Sequence, residues 1–199
     1  SDWSSDVCSS DLLPVSRFVI ATNENNEVPE FLSSGTYEPV VPSKNCISSA
    51  MNVGHPSNLA RIVSMYGGIM DEHGRIIKVP DLNLMRKDLF AISVSDELTR
   101  ASMKQFYLDY GKLLEPHGAV AWHGLSGYLR TLKKTENKGI ISVCLETAHP
   151  AKFRDEIRSL LNVDPVMPDS LKTIEFKKEE YISLENNYPL LKDFIIKNF

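Results

Sequence analysis

The chain has 199 residues, of which 42% are hydrophobic and 24% charged, and its formal net charge is -4. This balance suits one folded domain or two small ones, and it excludes collagen-like and fully disordered classes. No run approaches the roughly 20 apolar residues that span a bilayer, and no excess of Lys and Arg marks a nucleic-acid partner. Cys8, Cys46 and Cys144 have no close spacing. Neither a disulfide framework nor a zinc knuckle is therefore expected, and a reduced, cytoplasmic setting is.

The first twelve residues, SDWSSDVCSSDL, hold five serines and three aspartates and no cation. They lack the basic start and apolar core of a signal peptide. Asp2 through Leu12 resembles the translation of a short-read sequencing adapter, so residues 1–12 are expected to be an artefact without structure. The native part then starts at Leu13, and an N-terminal portion is expected to be missing. Without the three aspartates the charge becomes 22 minus 23, or -1.

In chain order, Arg17 to Ala21 (RFVIA) reads as a buried strand ending in an Asn-rich loop. Val28 to Leu32 reads as one or two helical turns stopped by Gly35, and residues 36–54 as loop. Leu59, Ile62, Val63 and Tyr66 stand at i, i+3, i+4 and i+7, one apolar helix face started by Ser57 or Asn58. Residues 69–88 are ambiguous, with Pro80 as a breaker. Leu89 to Val94 (LFAISV) reads as a strand. Ser95-Asp96-Glu97 starts a helix whose buried face holds Met103, Phe106, Tyr107 and Tyr110. Pro116-His117-Gly118 reads as a turn, followed by a small-residue helix. Gly139 to Leu145 (GIISVCL) is apolar at nearly every position and reads as a central strand covered on both faces. Pro150 suits a first helical position, and Phe153, Ile157, Leu160 and Leu161 form the face that follows. Strands alternate with helices, so the expected fold class is α/β, with a largely parallel sheet flanked by helices. Ligands gather at the carboxyl ends of strands in such sheets, which directs attention to Thr22–Glu27 and Glu146–Pro150.

Three segments carry a family resemblance: Ala21–Tyr37 (ATNENNEVPEFLSSGTY), Ser48–Gly68 (SSAMNVGHPSNLARIVSMYGG) and Leu145–Phe153 (LETAHPAKF), with Glu115–Val120 (EPHGAV) upstream of the last. In this order and spacing they resemble the C-terminal half of the threonine synthase family. That family consists of pyridoxal 5'-phosphate enzymes of the tryptophan-synthase-β type, fold type II. The resemblance implies that residues 13–165 form the C-terminal part of the catalytic domain and residues 166–199 a helical tail. It also implies a reaction, the conversion of O-phospho-L-homoserine and water to L-threonine and phosphate. The family's Schiff-base lysine and its phosphate-holding Ser-Gly-Asn loop are expected in the missing N-terminal portion. No catalytic residue is therefore assigned here, and the chain alone is expected to be inactive. Two rival readings are a phospholyase of the same fold and a binding module without chemistry.

The resemblance places the Thr147 hydroxyl against the pyridine nitrogen of the cofactor. A hydroxyl can donate to a neutral ring nitrogen, whereas a carboxylate would hold it protonated. Read from the residues alone, Thr147 can equally cap the helix near Pro150. His149 stands as a pocket residue or as a turn histidine bonded to backbone. His117 and Gly118 stand as an anion-facing turn or a plain tight turn. Asn52, where relatives carry Asp, stands as a loop former or a pocket residue, and Asn23 as a pocket candidate at a strand end. Asn58 and Arg61 stand as substrate-phosphate ligands, or as a cap and a surface cation. Lys152 is read as a solvated or phosphate-side cation, since the family's Schiff-base lysine lies elsewhere. Ala121–Gly124 (AWHG) departs from the Gly-Tyr-Arg-Ala expected in relatives. The five histidines share no metal spacing, so no metal is expected. Oligomeric state is not legible.

Overall fold

The structure, a computed structural model, describes residues 15–133, 139–174 and 176–199. The serine-rich leader at 1–12 lies outside the described residues. The chain divides into a first unit ending at Pro165 and a second, Val166–Phe199.

The first unit is built on strand β1 (Phe18–Thr22), which pairs in parallel with β4 (Leu89–Ser93), Phe18 opposite Leu89 and Thr22 opposite Ser93. Between them come helix α1 (Glu27–Ser34), a 3-10 turn (Ser49–Met51), α2 (Leu59–Met65), β2 (Ile69–Met70), β3 (Ile76–Lys78) and α3 (Leu82–Asp88). The ambiguous stretch 69–88 thus resolves into an antiparallel hairpin, β2 with β3, and a helix capped by Asp81. Three helices follow β4: α4 (Asp96–Tyr110), α5 (Pro116–Thr131) and, after a 3-10 turn at Pro150–Phe153, α6 (Arg154–Leu161).

Side chains of β1 and β4 alternate between two covered faces, which is why both strands are apolar up to their last residues, Thr22 and Ser93. Phe18, Ile20, Leu89 and Ala91 join a core with Phe31, Leu32, Val63 and Met85 from α1, α2 and α3. Val19, Ala21 and Ile92 turn the other way, against Gly124 of α5. Phe90 shares that second face and packs on Tyr128, with ring centroids 5.3 Å apart. A second core joins α4, α5 and α6 through Met103, Ala119 and Ile157, all fully buried. The helix starts follow their caps. Ser95 accepts the Leu98 N–H at the head of α4, and Gly111 ends that helix in the left-handed region.

Two sequence expectations need correction. Pro116-His117-Gly118 is not a turn ahead of a helix but the first turn of α5 itself, capped by the Glu115 carboxylate. Gly139–Leu145 is not a central strand among the described residues. It has no ladder partner there, and Ile141 and Val143 are 91% and 77% exposed. A strand needs a neighbour for its backbone N–H and C=O groups, and apolar composition does not supply one. Among the described residues the strands form two separate two-stranded sheets, one parallel and one antiparallel, rather than the one largely parallel sheet expected.

The described residues of the second unit hold turns at residues 169–174 and one helix, α7 (Tyr188–Asn198), capped by Asn187. No described helix of the chain is long and apolar enough to cross a membrane.

Candidate functional site

The carboxyl end of β1 leads into a knot of asparagines. Asn23 is 1% exposed, and its Nδ2 donates to Asn52 Oδ1 at 2.9 Å and to the Ser48 carbonyl at 3.4 Å. Its Oδ1 accepts from the backbone and side-chain N–H groups of Asn25, at 3.0 and 2.8 Å. Asn52 is also saturated. Its Oδ1 takes a second bond from the Cys46 N–H, and its Nδ2 donates to Asn45 Oδ1 and the Cys46 carbonyl. These contacts consume the hydrogen-bonding capacity of both amides. Through these bonds both side chains tie together the loops beyond β1. An Asn suits Asn52's place because it donates and accepts at once, which an Asp would not.

The same loop is pinned from two helices. The Asp96 carboxylate, in the first turn of α4, accepts the Ile47 N–H at 3.0 Å. His117 Nε2, in the first turn of α5, accepts the Ala50 N–H at 3.0 Å. His117 is 5% exposed and Glu115 is wholly buried. Glu115 accepts the N–H groups of His117 and Gly118 at 2.9 and 2.8 Å, and its Oε2 lies 2.5 Å from His117 Nδ1. The anion at the start of α5 is the protein's own Glu115 carboxylate.

Glu146 meets this cluster from the other side. Its Oε1 accepts the Glu115 N–H at 3.3 Å, and a Cβ on Gly118 would lie 3.1 Å from Glu146 Cγ. A side chain at position 118 would make Glu146 give way by a few tenths of an ångström. Partial burial pushes the Glu146 carboxyl above its ordinary range, and the Glu115 charge adds to the shift. Thr147, the next residue, is exposed. The cap of the following 3-10 turn is His149, whose Nδ1 accepts the Ala151 N–H at 3.1 Å. His149 is thus the backbone-bonded turn histidine, and Thr147 is released from the capping role.

Asn58 and Arg61 lie at the exposed start of α2. Asn58 stands at the cap position, without a side-chain cap bond. Lys152 is exposed within the 3-10 turn. Sequence reasoning missed Glu115 and Glu146. The signal was present in Glu-Pro-His: an acid followed by Pro at a first helical position can cap a helix.

The fold and site define a mixed α/β chain in which a polar cluster ties the loops beyond β1 to the first turns of α4 and α5. The C-terminal threonine synthase family model ("Threonine synthase, C-terminal") matches residues 123–195. The threonine synthase of Serratia marcescens is 34% identical over 159 residues, which cover 80% of this chain and 32% of that protein. That of Haemophilus influenzae is 31% identical over 186 residues, 94% of this chain and 39% of the relative. Among solved structures, PLP-bound threonine synthase from Brucella melitensis superposes with a TM-score of 0.78 at 25% identity, over 97% of this chain and 42% of that one. The Escherichia coli enzyme gives 0.73 at 27% identity, over 94% and 39%. The chain is a relative of the threonine synthases, and it spans about a third to two fifths of their length.

Proposed function

We propose that this chain supplies the cofactor-ring side of a threonine synthase, which converts O-phospho-L-homoserine and water to L-threonine and phosphate. Pyridoxal phosphate, when bound, would supply an electron sink for substrate carbanions while phosphate leaves. The residues present fit the ring-nitrogen end of that group. Thr147 offers a hydroxyl able to donate to a neutral nitrogen, and the neighbouring Glu146 is turned away toward Gly118 and the Glu115 N–H. The Schiff-base lysine and the phosphate loop would come from the length of the relatives that this chain does not span.

The observation that carries this reading is the release of Thr147. His149 takes the cap, so the competing role of Thr147 is filled, and Thr147 is exposed. The asparagine knot and the Glu115–His117 pair serve this reading by holding the surrounding loops in place. The test is Thr147→Asp in a full-length relative. A carboxylate there would hold the ring nitrogen protonated, shift the cofactor absorbance and depress turnover. An unchanged spectrum with unchanged turnover would refute the role.

A further inference from the structure

We infer that Glu115 is a positioning residue: by accepting the His117 Nδ1 proton it leaves Nε2 bare, and that bare nitrogen docks the Ser49–Met51 turn on the start of α5. The argument rests on donors and acceptors. A backbone N–H can only donate, so His117 Nε2, which meets the Ala50 N–H at 3.0 Å, must accept. The ring proton of the neutral imidazole then sits on Nδ1 and is donated to Glu115 Oε2. The contact is a hydrogen bond from a neutral ring, not an ion pair. Phe153 packs edge-on against the imidazole, with centroids 5.2 Å apart, and holds its plane.

Glu146 extends the chain of bonds by accepting the Glu115 N–H. An unbroken path therefore runs from Glu146, beside Thr147, through Glu115 and His117 to Ala50, two residues before Asn52. What this path positions for catalysis rests on the proposed function. The tautomer and the docking are read on the chain itself and can fail separately from that reading.

The cap and the tautomer can be separated by substitution. Glu115→Ser keeps a capping oxygen for the helix start but cannot reach His117 Nδ1. Glu115→Gln keeps an acceptor that can turn toward His117. Nitrogen-15 NMR of the imidazole and amide hydrogen exchange at Ala50 give the readout on the whole chain. In the native chain we expect Nδ1 protonated and Nε2 bare. Glu115→Ser should move the proton toward Nε2 and speed Ala50 exchange by about tenfold or more, the scale of one lost buried hydrogen bond. Glu115→Gln should restore both. A native ring protonated on Nε2 overturns the proposal, and so does a Glu115→Ser chain with His117 and Ala50 unchanged. If Glu115→Ser does not fold, the native spectrum alone decides.

Discussion

The Tyr37 hydroxyl lies 2.7 Å from His55 Nδ1, and the far side of the imidazole fixes the direction of that bond. His55 Nε2 meets the Glu72 carbonyl at 3.2 Å, and a carbonyl only accepts, so Nε2 donates. With the ring neutral, Nδ1 is bare and Tyr37 donates to it. Glu27, 3% exposed and with Oε2 unpartnered, lies close enough to act on both residues by its charge.

This cluster has a consequence at high pH. Burial, and then the Glu27 charge, push the Tyr37 phenol from 10.0 up to about 12. Below the lower value, folded and unfolded chains both keep the proton. Between the two values only the unfolded chain releases it, so stability falls as pH rises through that window. Ultraviolet titration of tyrosinate should show late-ionising phenols, with Tyr37 resisting until near the upper value and Tyr66 also raised, by burial and by Asp88. Tyr37→Phe should remove its late phenol and cost about 1 kcal/mol near neutral pH, the usual net worth of one hydrogen bond.

Two glycines of α5 should respond oppositely to alanine. At Gly124 a Cβ would sit 2.6 Å from the Ala21 Cβ, inside the contact of α5 with β1. Overpacking of that kind costs about 1–3 kcal/mol, which exceeds the roughly 1 kcal/mol that alanine returns in helix propensity. At Gly127 the nearest atom is Ile92 Cδ1 at 3.6 Å, an ordinary contact. Gly124→Ala should lower the urea midpoint, and Gly127→Ala should raise stability by about 0.5–1 kcal/mol.

The purified chain, given pyridoxal phosphate and O-phospho-L-homoserine, should leave the cofactor spectrum unchanged and form no threonine. The proposed function assigns the lysine and the phosphate loop to the part of the relatives outside this chain's span. Threonine production by the chain alone would overturn that assignment.

The helices were the most legible part of the fold. Ser95 with two following acids marks the head of α4, and Leu59, Ile62 and Val63 mark one face of α2, because both signals are local. The candidate site was legible in its single residues and not in their pairings. Thr147, His117 and Asn52 were identified as candidates, but their partners were not. Glu146 and Glu115 are 31 residues apart and His117 and Ala50 are 67 apart, and no local pattern encodes such pairings.

The sequence by itself determined the α/β alternation, the helix starts and the resemblance that the comparisons uphold. These follow from periodicity, caps and motif order, which are properties of neighbours along the chain. Only the tertiary structure decided the roles. It gave the cap to His149 and left Thr147 exposed, spent Asn23 and Asn52 on each other, and left Ile141 and Val143 without a covering layer. A polar side chain's role depends on which donors and acceptors remain around it after folding, and an apolar strand's on what packs against it.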